Sequence, residues 1–118
     1  MKRIAVLGST GSIGTGTLDV VTAHRDRFRV VGIAAHTNAK LLAEQSRRFE
    51  PRWAVLGDDS LRQTVSTTDF SPNTELLFGA DSIERIAADP EVDIVVAAIV
   101  GAAGLRSTWA AVEAGKRV

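Results

Sequence analysis

Leu7-Gly8-Ser9-Thr10-Gly11-Ser12-Ile13-Gly14 decides how this chain is read. It follows the strand-like run Arg3 to Leu7 and opens a segment whose apolar residues Ile13, Leu18 and Val21 recur with helical spacing. A glycine-rich turn between a strand and a helix is where a dinucleotide's pyrophosphate is held in many folds. Gly8 allows the sharp turn off the strand, and Gly11 lets a phosphate approach the backbone with no Cβ in the way. Gly14 lets helix and strand pack closely. The unpaired N–H groups of the first helical turn, around Ser12 and Ile13, would point at the phosphates, and the helix dipole favours their charge. The hydroxyls of Ser9, Thr10 and Ser12 are further candidate donors. The spacing is G-x-x-G-x-x-G, one residue wider than the commoner G-x-G-x-x-G. The plain alternative is a glycine-rich connection with no ligand.

Working outward, short apolar runs and helical segments alternate along the chain. The runs are Arg3 to Leu7, Arg29 to Ala34, Trp53 to Leu56, Glu75 to Phe78 and Val92 to Ile99. Near-continuous apolar character over so few residues suits parallel strands covered on both faces. Helical segments are expected after the glycine turn, over Asn38 to Phe49 (Leu41, Leu42, Gln45, Phe49), over Asp81 to Ala88 with Asp81 or Ser82 as cap, and over Leu105 to Ala114 ending at Gly115. Asp58 to Val65 reads as a further helix and Ser66 to Thr74 as a loop. Strand and helix in alternation imply right-handed crossovers and an α/β, doubly wound parallel sheet of the Rossmann dinucleotide-binding type. Lys116-Arg117-Val118 looks like a strand that has only begun, so the chain reads as the amino-terminal part of something longer.

The end of the second strand distinguishes the two nicotinamide cofactors. An acidic side chain there binds the ribose of NAD. Here the chain reads Ala34-Ala35-His36-Thr37-Asn38-Ala39-Lys40, with no carboxylate. A carboxylate would repel a 2′-phosphate, whereas His36, Thr37, Asn38 and nearby Lys40 accept one, so the pattern favours NADP over NAD. The plain alternative makes His36 a surface loop residue and Asn38 only a helix cap. Both roles are open to Asn38, because a capped helix end is itself an anion site. A third feature, Ala97 to Gly104, closes the last apolar run with small residues that leave room for a ribose and a nicotinamide, or simply form a tight turn.

Composition bounds the rest. The 118 residues make one domain's worth of chain, 45% hydrophobic and 24% charged. Fourteen basic and fourteen acidic residues cancel, which argues against nucleic acid and against an anionic membrane surface as partner. With no cysteine there is no disulfide framework, thiolate metal site or cysteine nucleophile. The longest apolar run, Ile94 to Val100, is far short of the about 20 residues that span a membrane, and the N-terminus enters a strand directly. A cytoplasmic domain is the expectation. His24 reads as a surface residue complementing a helix C-terminus. Asp19 and Glu113 read as solvated, Asp58-Asp59 as a helix start, and Trp53 and Trp109 as core or interface residues. No catalytic or metal-ligating residue is assigned.

Leu7 to Gly14, then Thr17-Leu18-Asp19-Val20-Val21, Phe28-Arg29-Val30-Val31, Pro51-Arg52 with Ala54-Val55, and Ala97-Ala98-Ile99-Val100-Gly101-Ala102-Ala103-Gly104-Leu105 together resemble the start of the 1-deoxy-D-xylulose 5-phosphate reductoisomerases. The resemblance runs in order along the whole chain, to Ala114-Gly115-Lys116. It implies an NADPH-dependent enzyme of the non-mevalonate isoprenoid pathway. That family rearranges 1-deoxy-D-xylulose 5-phosphate and reduces the product to 2-C-methyl-D-erythritol 4-phosphate, as a homodimer that uses Mg²⁺ or Mn²⁺. By position, Thr10, Gly11, Ser12, Ile13 and Asn38 match the family's NADPH contacts. The family usually has glycine followed by lysine, arginine or serine where this chain has His36-Thr37. The resemblance also places the metal ligands and the sugar phosphate site beyond residue 118. Residues 1–118 are then the NADPH-binding domain, cut short of the catalytic domain and inactive alone. The alternatives are the cofactor domain of a sugar or semialdehyde oxidoreductase, or a dinucleotide-sensing module without enzyme activity.

Overall fold

Strand β1 (Lys2–Leu7) shows why the sheet is buried on both faces. Its side chains alternate: Ile4 and Val6 enter one apolar cluster, Ala5 and Leu7 the other. The computed structural model describes residues 1–118, apart from the side chain of Ala103. After β1 come α1 (Ser12–Ala23), β2 (Phe28–Ala35), α2 (Ala39–Phe49), β3 (Trp53–Leu56), β4 (Glu75–Phe78), α3 (Ala80–Ala87), β5 (Ile94–Ala97) and α4 (Ala102–Glu113). The strands form one parallel sheet in the order β4-β3-β2-β1-β5. Leu18 and Val21 of α1 and Leu42 and Ala43 of α2 cover one face. Ile83 and Ile86 of α3 and Ala111 of α4 cover the other. This is the doubly wound α/β architecture expected from the alternation, and its order reverses between β1 and β5.

The differences from expectation have physical causes. β5 ends at Ala97 rather than Ile99 because its ladder partner ends first. Ala98 N–H donates to the Leu7 carbonyl at 2.8 Å, and beyond Leu7 the chain turns away at Gly8. α4 starts at Ala102, three residues earlier than expected. A Cβ on Gly104 would lie 1.9 Å from the Ile99 carbonyl oxygen, so only glycine lets the helix start against the strand end. Neither Asp81 nor Ser82 caps α3; Gly79 does, and Ser82 Oγ instead donates to the Phe78 carbonyl at 2.8 Å. Asp58 does start a helix, but a short 3₁₀ turn, Asp59–Gln63, in place of a helix to Val65. A second 3₁₀ turn, Thr67–Asp69, stands in the expected loop. Arg117 makes an isolated parallel bridge to Ile94, the start of pairing expected of Lys116 to Val118. Trp53 is a core residue, whereas Trp109 is exposed and shares an open face of α4 with Leu105 and Val112. Among the described residues no helix is long and apolar enough to cross a membrane.

The edge of the sheet away from the glycine turn carries an ion pair that predicts an acid response. Arg3 Nε and its backbone N–H both donate to Asp93 Oδ2, at 3.1 and 2.9 Å, and a guanidinium nitrogen donates to Oδ1 at 3.2 Å. These bonds, the guanidinium's first, hold the Asp93 carboxyl down at about 2 against an ordinary 3.8. A depressed carboxyl stabilises the fold above its unfolded value and loses that contribution as pH falls through its folded value. Asp93→Asn should therefore flatten the decline of stability between pH 4 and 2 in denaturant titrations. An unchanged slope over that range would show that the pair contributes nothing.

Candidate functional site

The glycine turn joins the C-terminal end of β1 to α1, on the edge of the sheet where the strand order reverses. Gly8 adopts φ +90°, and a Cβ there would come within 2.6 Å of the Ala98 carbonyl oxygen. The turn is thus packed against the end of β5 at Ala98. Gly14 is equally constrained, since a Cβ would lie 2.1 Å from the Gly8 oxygen. Gly11 differs from both. It is exposed and extended (φ −78°, ψ 175°), and a Cβ would meet only the Gly8 oxygen at an ordinary 3.6 Å. Two glycines serve the fold, and the third leaves open surface.

The donors sort in the same way. Gly8 and Ser9 N–H both donate to the Ala34 carbonyl, at 2.8 and 2.9 Å, tying the turn to β2. Gly11 N–H donates to Gly8 O at 3.2 Å, so Gly11 contributes space rather than a donor. Thr10 N–H has no partner among the described residues. Ser12 and Ile13 open α1, where N–H groups lack intrahelical acceptors, and Gly11 supplies no side-chain cap. The first turn of α1 holds no acidic residue, so the positive end of the helix dipole is uncompensated. Thr10, Gly11, Ser12 and Ile13 are thus together on an accessible surface of anion-binding character. One expectation is corrected: Ser9 is fully buried with Oγ directed at the Ala34 carbonyl, so its hydroxyl is not a phosphate donor.

His36, Thr37 and Asn38 follow β2 on the same edge of the sheet, and all three are exposed. Asn38 Oδ1 accepts the Leu41 N–H at 3.2 Å and so caps α2, whose first turn also has no acidic residue. Its Nδ2 donors have no partner among the described residues. His36 is fixed by its carbonyl, which accepts the Asp58 N–H at 3.1 Å, and its Nδ1 lies 3.3 Å from where a Cβ on Gly57 would stand. Asp58 brings a carboxylate from the neighbouring strand end that the β2 reading does not contain. That carboxylate is engaged by Ser60, accepting its hydroxyl at 2.6 Å and its N–H at 3.0 Å. The two bonds, with a smaller contribution from His36, hold Asp58 below its ordinary value. Lys40 stands beside this corner on the rim of a groove of about 460 Å³ between α2 and residues 64–70.

Sequence reasoning counts Gln45 as part of the apolar stripe of α2, and its role goes unseen there. The side chain is buried, and Nε2 donates to the Ser9 carbonyl at 2.8 Å. The signal was a long polar residue at an inward-facing helix position. His24 ends α1 as an exposed residue, and Asp19 and Glu113 are exposed on their helices. Among the described residues no three His, Asp or Glu side chains converge to hold a metal ion. The turn fits a dinucleotide phosphate; the acidic residues present do not fit a divalent cation.

A family model described as 1-deoxy-D-xylulose 5-phosphate reductoisomerase matches residues 4–118. The enzyme of that name from Nitrosospira multiformis is 52% identical over 120 residues, covering all of this chain and 30% of the relative. The one from Proteus mirabilis is 47% identical over 122 residues, with the same coverage. Among solved structures, the Zymomonas mobilis 1-deoxy-D-xylulose 5-phosphate reductoisomerase in complex with NADPH superposes with a TM-score of 0.89 and 37% identity, over 98% of this chain and 30% of that one. A DOX-P reductoisomerase in complex with NADPH, fosmidomycin and magnesium gives 0.88 and 39%, over 99% and 29%. The chain spans about 30% of the length of the curated relatives it matches. From Ile4 to its last residue, by sequence and by fold, the chain belongs to the 1-deoxy-D-xylulose 5-phosphate reductoisomerase family.

Proposed function

We propose that residues 1–118 are the NADPH-binding domain of an enzyme that rearranges 1-deoxy-D-xylulose 5-phosphate and reduces the product to 2-C-methyl-D-erythritol 4-phosphate. The observation that carries this reading is the set of unpartnered N–H groups at Thr10, Ser12 and Ile13 around an unobstructed Gly11, in a family whose solved members include NADPH complexes. Thr10, Gly11, Ser12 and Ile13 take the pyrophosphate, while His36, Thr37 and Asn38 take the 2′-phosphate. The nicotinamide, when bound, supplies the hydride. This chain's residues bind and orient it beside the small residues Ala97 to Ala102. The divalent cation, Mg²⁺ or Mn²⁺, and the sugar phosphate are held by residues outside this chain, so residues 1–118 alone turn over no substrate. The whole protein acts as a cytoplasmic homodimer, with neither nucleic acid nor membrane as partner. Family membership sets aside the sugar or semialdehyde oxidoreductase, and nothing favours a dinucleotide sensor without enzyme activity.

Calorimetric titration with NADPH and NADH tests the cofactor assignment. NADPH should bind more tightly, and Thr37→Asp should weaken NADPH by about tenfold or more by setting a charge beside the 2′-phosphate. The same variant should leave NADH binding nearly unchanged. Equal affinities of the unmodified chain for the two cofactors would overturn the assignment of His36, Thr37 and Asn38.

A further inference from the structure

We propose that Gln45 is a positioning residue for cofactor binding, holding the Ser9–Thr10 peptide so that the Thr10 N–H is presented to the pyrophosphate. The inference rests on the NADPH reading above. Gln45 lies on α2, outside the glycine turn, and reaches across to donate from Nε2 to the Ser9 carbonyl at 2.8 Å. A peptide unit is planar and trans, so its C=O and N–H point in opposite directions. Drawing the Ser9 oxygen inward toward buried Gln45 therefore turns the Thr10 N–H outward. Among the described residues, that N–H is the one donor of the turn's Gly8 to Gly11 stretch left without a partner; Gly8, Ser9 and Gly11 all donate within the chain.

The state of the Gln45 amide supports a role beyond filling space. The residue is 6% exposed, and its Oε1 is buried with no hydrogen-bond partner among the described residues. An acceptor buried without a partner costs stability, and a leucine or methionine would fill the same volume without that cost. The orientation of the amide is fixed, because the flipped form would set Oε1 against the Ser9 oxygen. An amide kept at this position thus serves its one bond, and that bond ends on the phosphate turn. Ser9 is tied to two neighbouring elements, by its N–H to Ala34 of β2 and by its carbonyl to Gln45 of α2.

The test uses Gln45→Met, which keeps volume and removes the donor, and Gln45→Glu, which keeps length and replaces the donor with an acceptor. The probes are NADPH and adenosine 2′-phosphate, which has the 2′-phosphate but no pyrophosphate. Both variants should lose about tenfold in NADPH affinity, the effect of one misdirected charge-assisted bond. Both should keep adenosine 2′-phosphate affinity and a folded circular dichroism spectrum. Equal weakening of both ligands would make Gln45 merely structural, and unchanged NADPH affinity in folded variants would also overturn the proposal. If the unmodified chain fails to bind NADPH, it is the cofactor reading that falls. Amide exchange in the unmodified chain gives an answer even where the variants fail to fold. Thr10 N–H should exchange fast without ligand and be protected with NADPH, while Gln45 Nε2–H is protected throughout. A Thr10 N–H protected without ligand, or unaffected by it, contradicts the proposed geometry.

Discussion

Gly11→Val should abolish NADPH binding and leave the domain folded. The backbone at Gly11 is extended, a conformation a β-branched residue adopts readily, and the added Cβ meets nothing closer than 3.6 Å. The isopropyl group would instead occupy the outer surface of the turn, where the pyrophosphate must reach the N–H groups of Thr10 and Ser12. Two charge-assisted hydrogen bonds lost at about 1.5–3 kcal/mol each amount to a loss of at least about 100-fold in affinity. Calorimetry for binding and thermal unfolding for stability check the two halves. A variant that keeps both its fold and its NADPH affinity would move the phosphate away from this turn.

Gly14→Ala should do the opposite, damaging the fold before any ligand is added. The new Cβ would lie 2.1 Å from the Gly8 oxygen and 2.6 Å from the Ser9 Cα, both backbone atoms. Helix α1 must then back away from β1, opening the packing of Leu18 and Val21 against Ile4 and Val6. Overpacking against backbone of this kind costs about 3 kcal/mol, a large part of a small domain's stability. The melting temperature should fall by about 10–15 °C. A drop of only a degree or two would mean that the turn adjusts freely and is not held as rigidly as its hydrogen bonds imply.

The contrast between these two glycines was legible in the motif, where Gly11 and Gly14 stand at positions with different physical demands. Most of the sheet was legible as well, because short apolar runs such as Trp53–Leu56 and Leu76 to Phe78 have nothing to continue into. β5 misled for the reverse reason. Its apolar run continues to Val100, but a strand lasts only while its neighbour offers ladder partners, and β1 ends at Leu7. No periodicity carries that constraint.

The site divides along the same line. Residue type and place single out Thr10 to Ile13 and His36 to Asn38 as candidates, since both sets sit just past strand ends. Whether a hydroxyl faces a phosphate or the core depends on tertiary packing, which is why Ser9 reads as a donor and proves to be buried. Gln45 hides in an apolar stripe because periodicity counts positions, not hydrogen bonds. Asp58, 22 residues after His36, approaches it through sheet register that local sequence does not encode.

Amide chemical shifts of the 118-residue chain, followed as NADPH is added, bear most directly on where the cofactor binds. The amides of Thr10, Ser12 and Ile13 should move together with those of His36 to Asn38. Lys2, Asp93 and Arg117, at the opposite edge of the sheet, should stay in place. Shifts confined to that opposite edge or to the groove at residues 64–70, or no shifts at saturating NADPH, would contradict it.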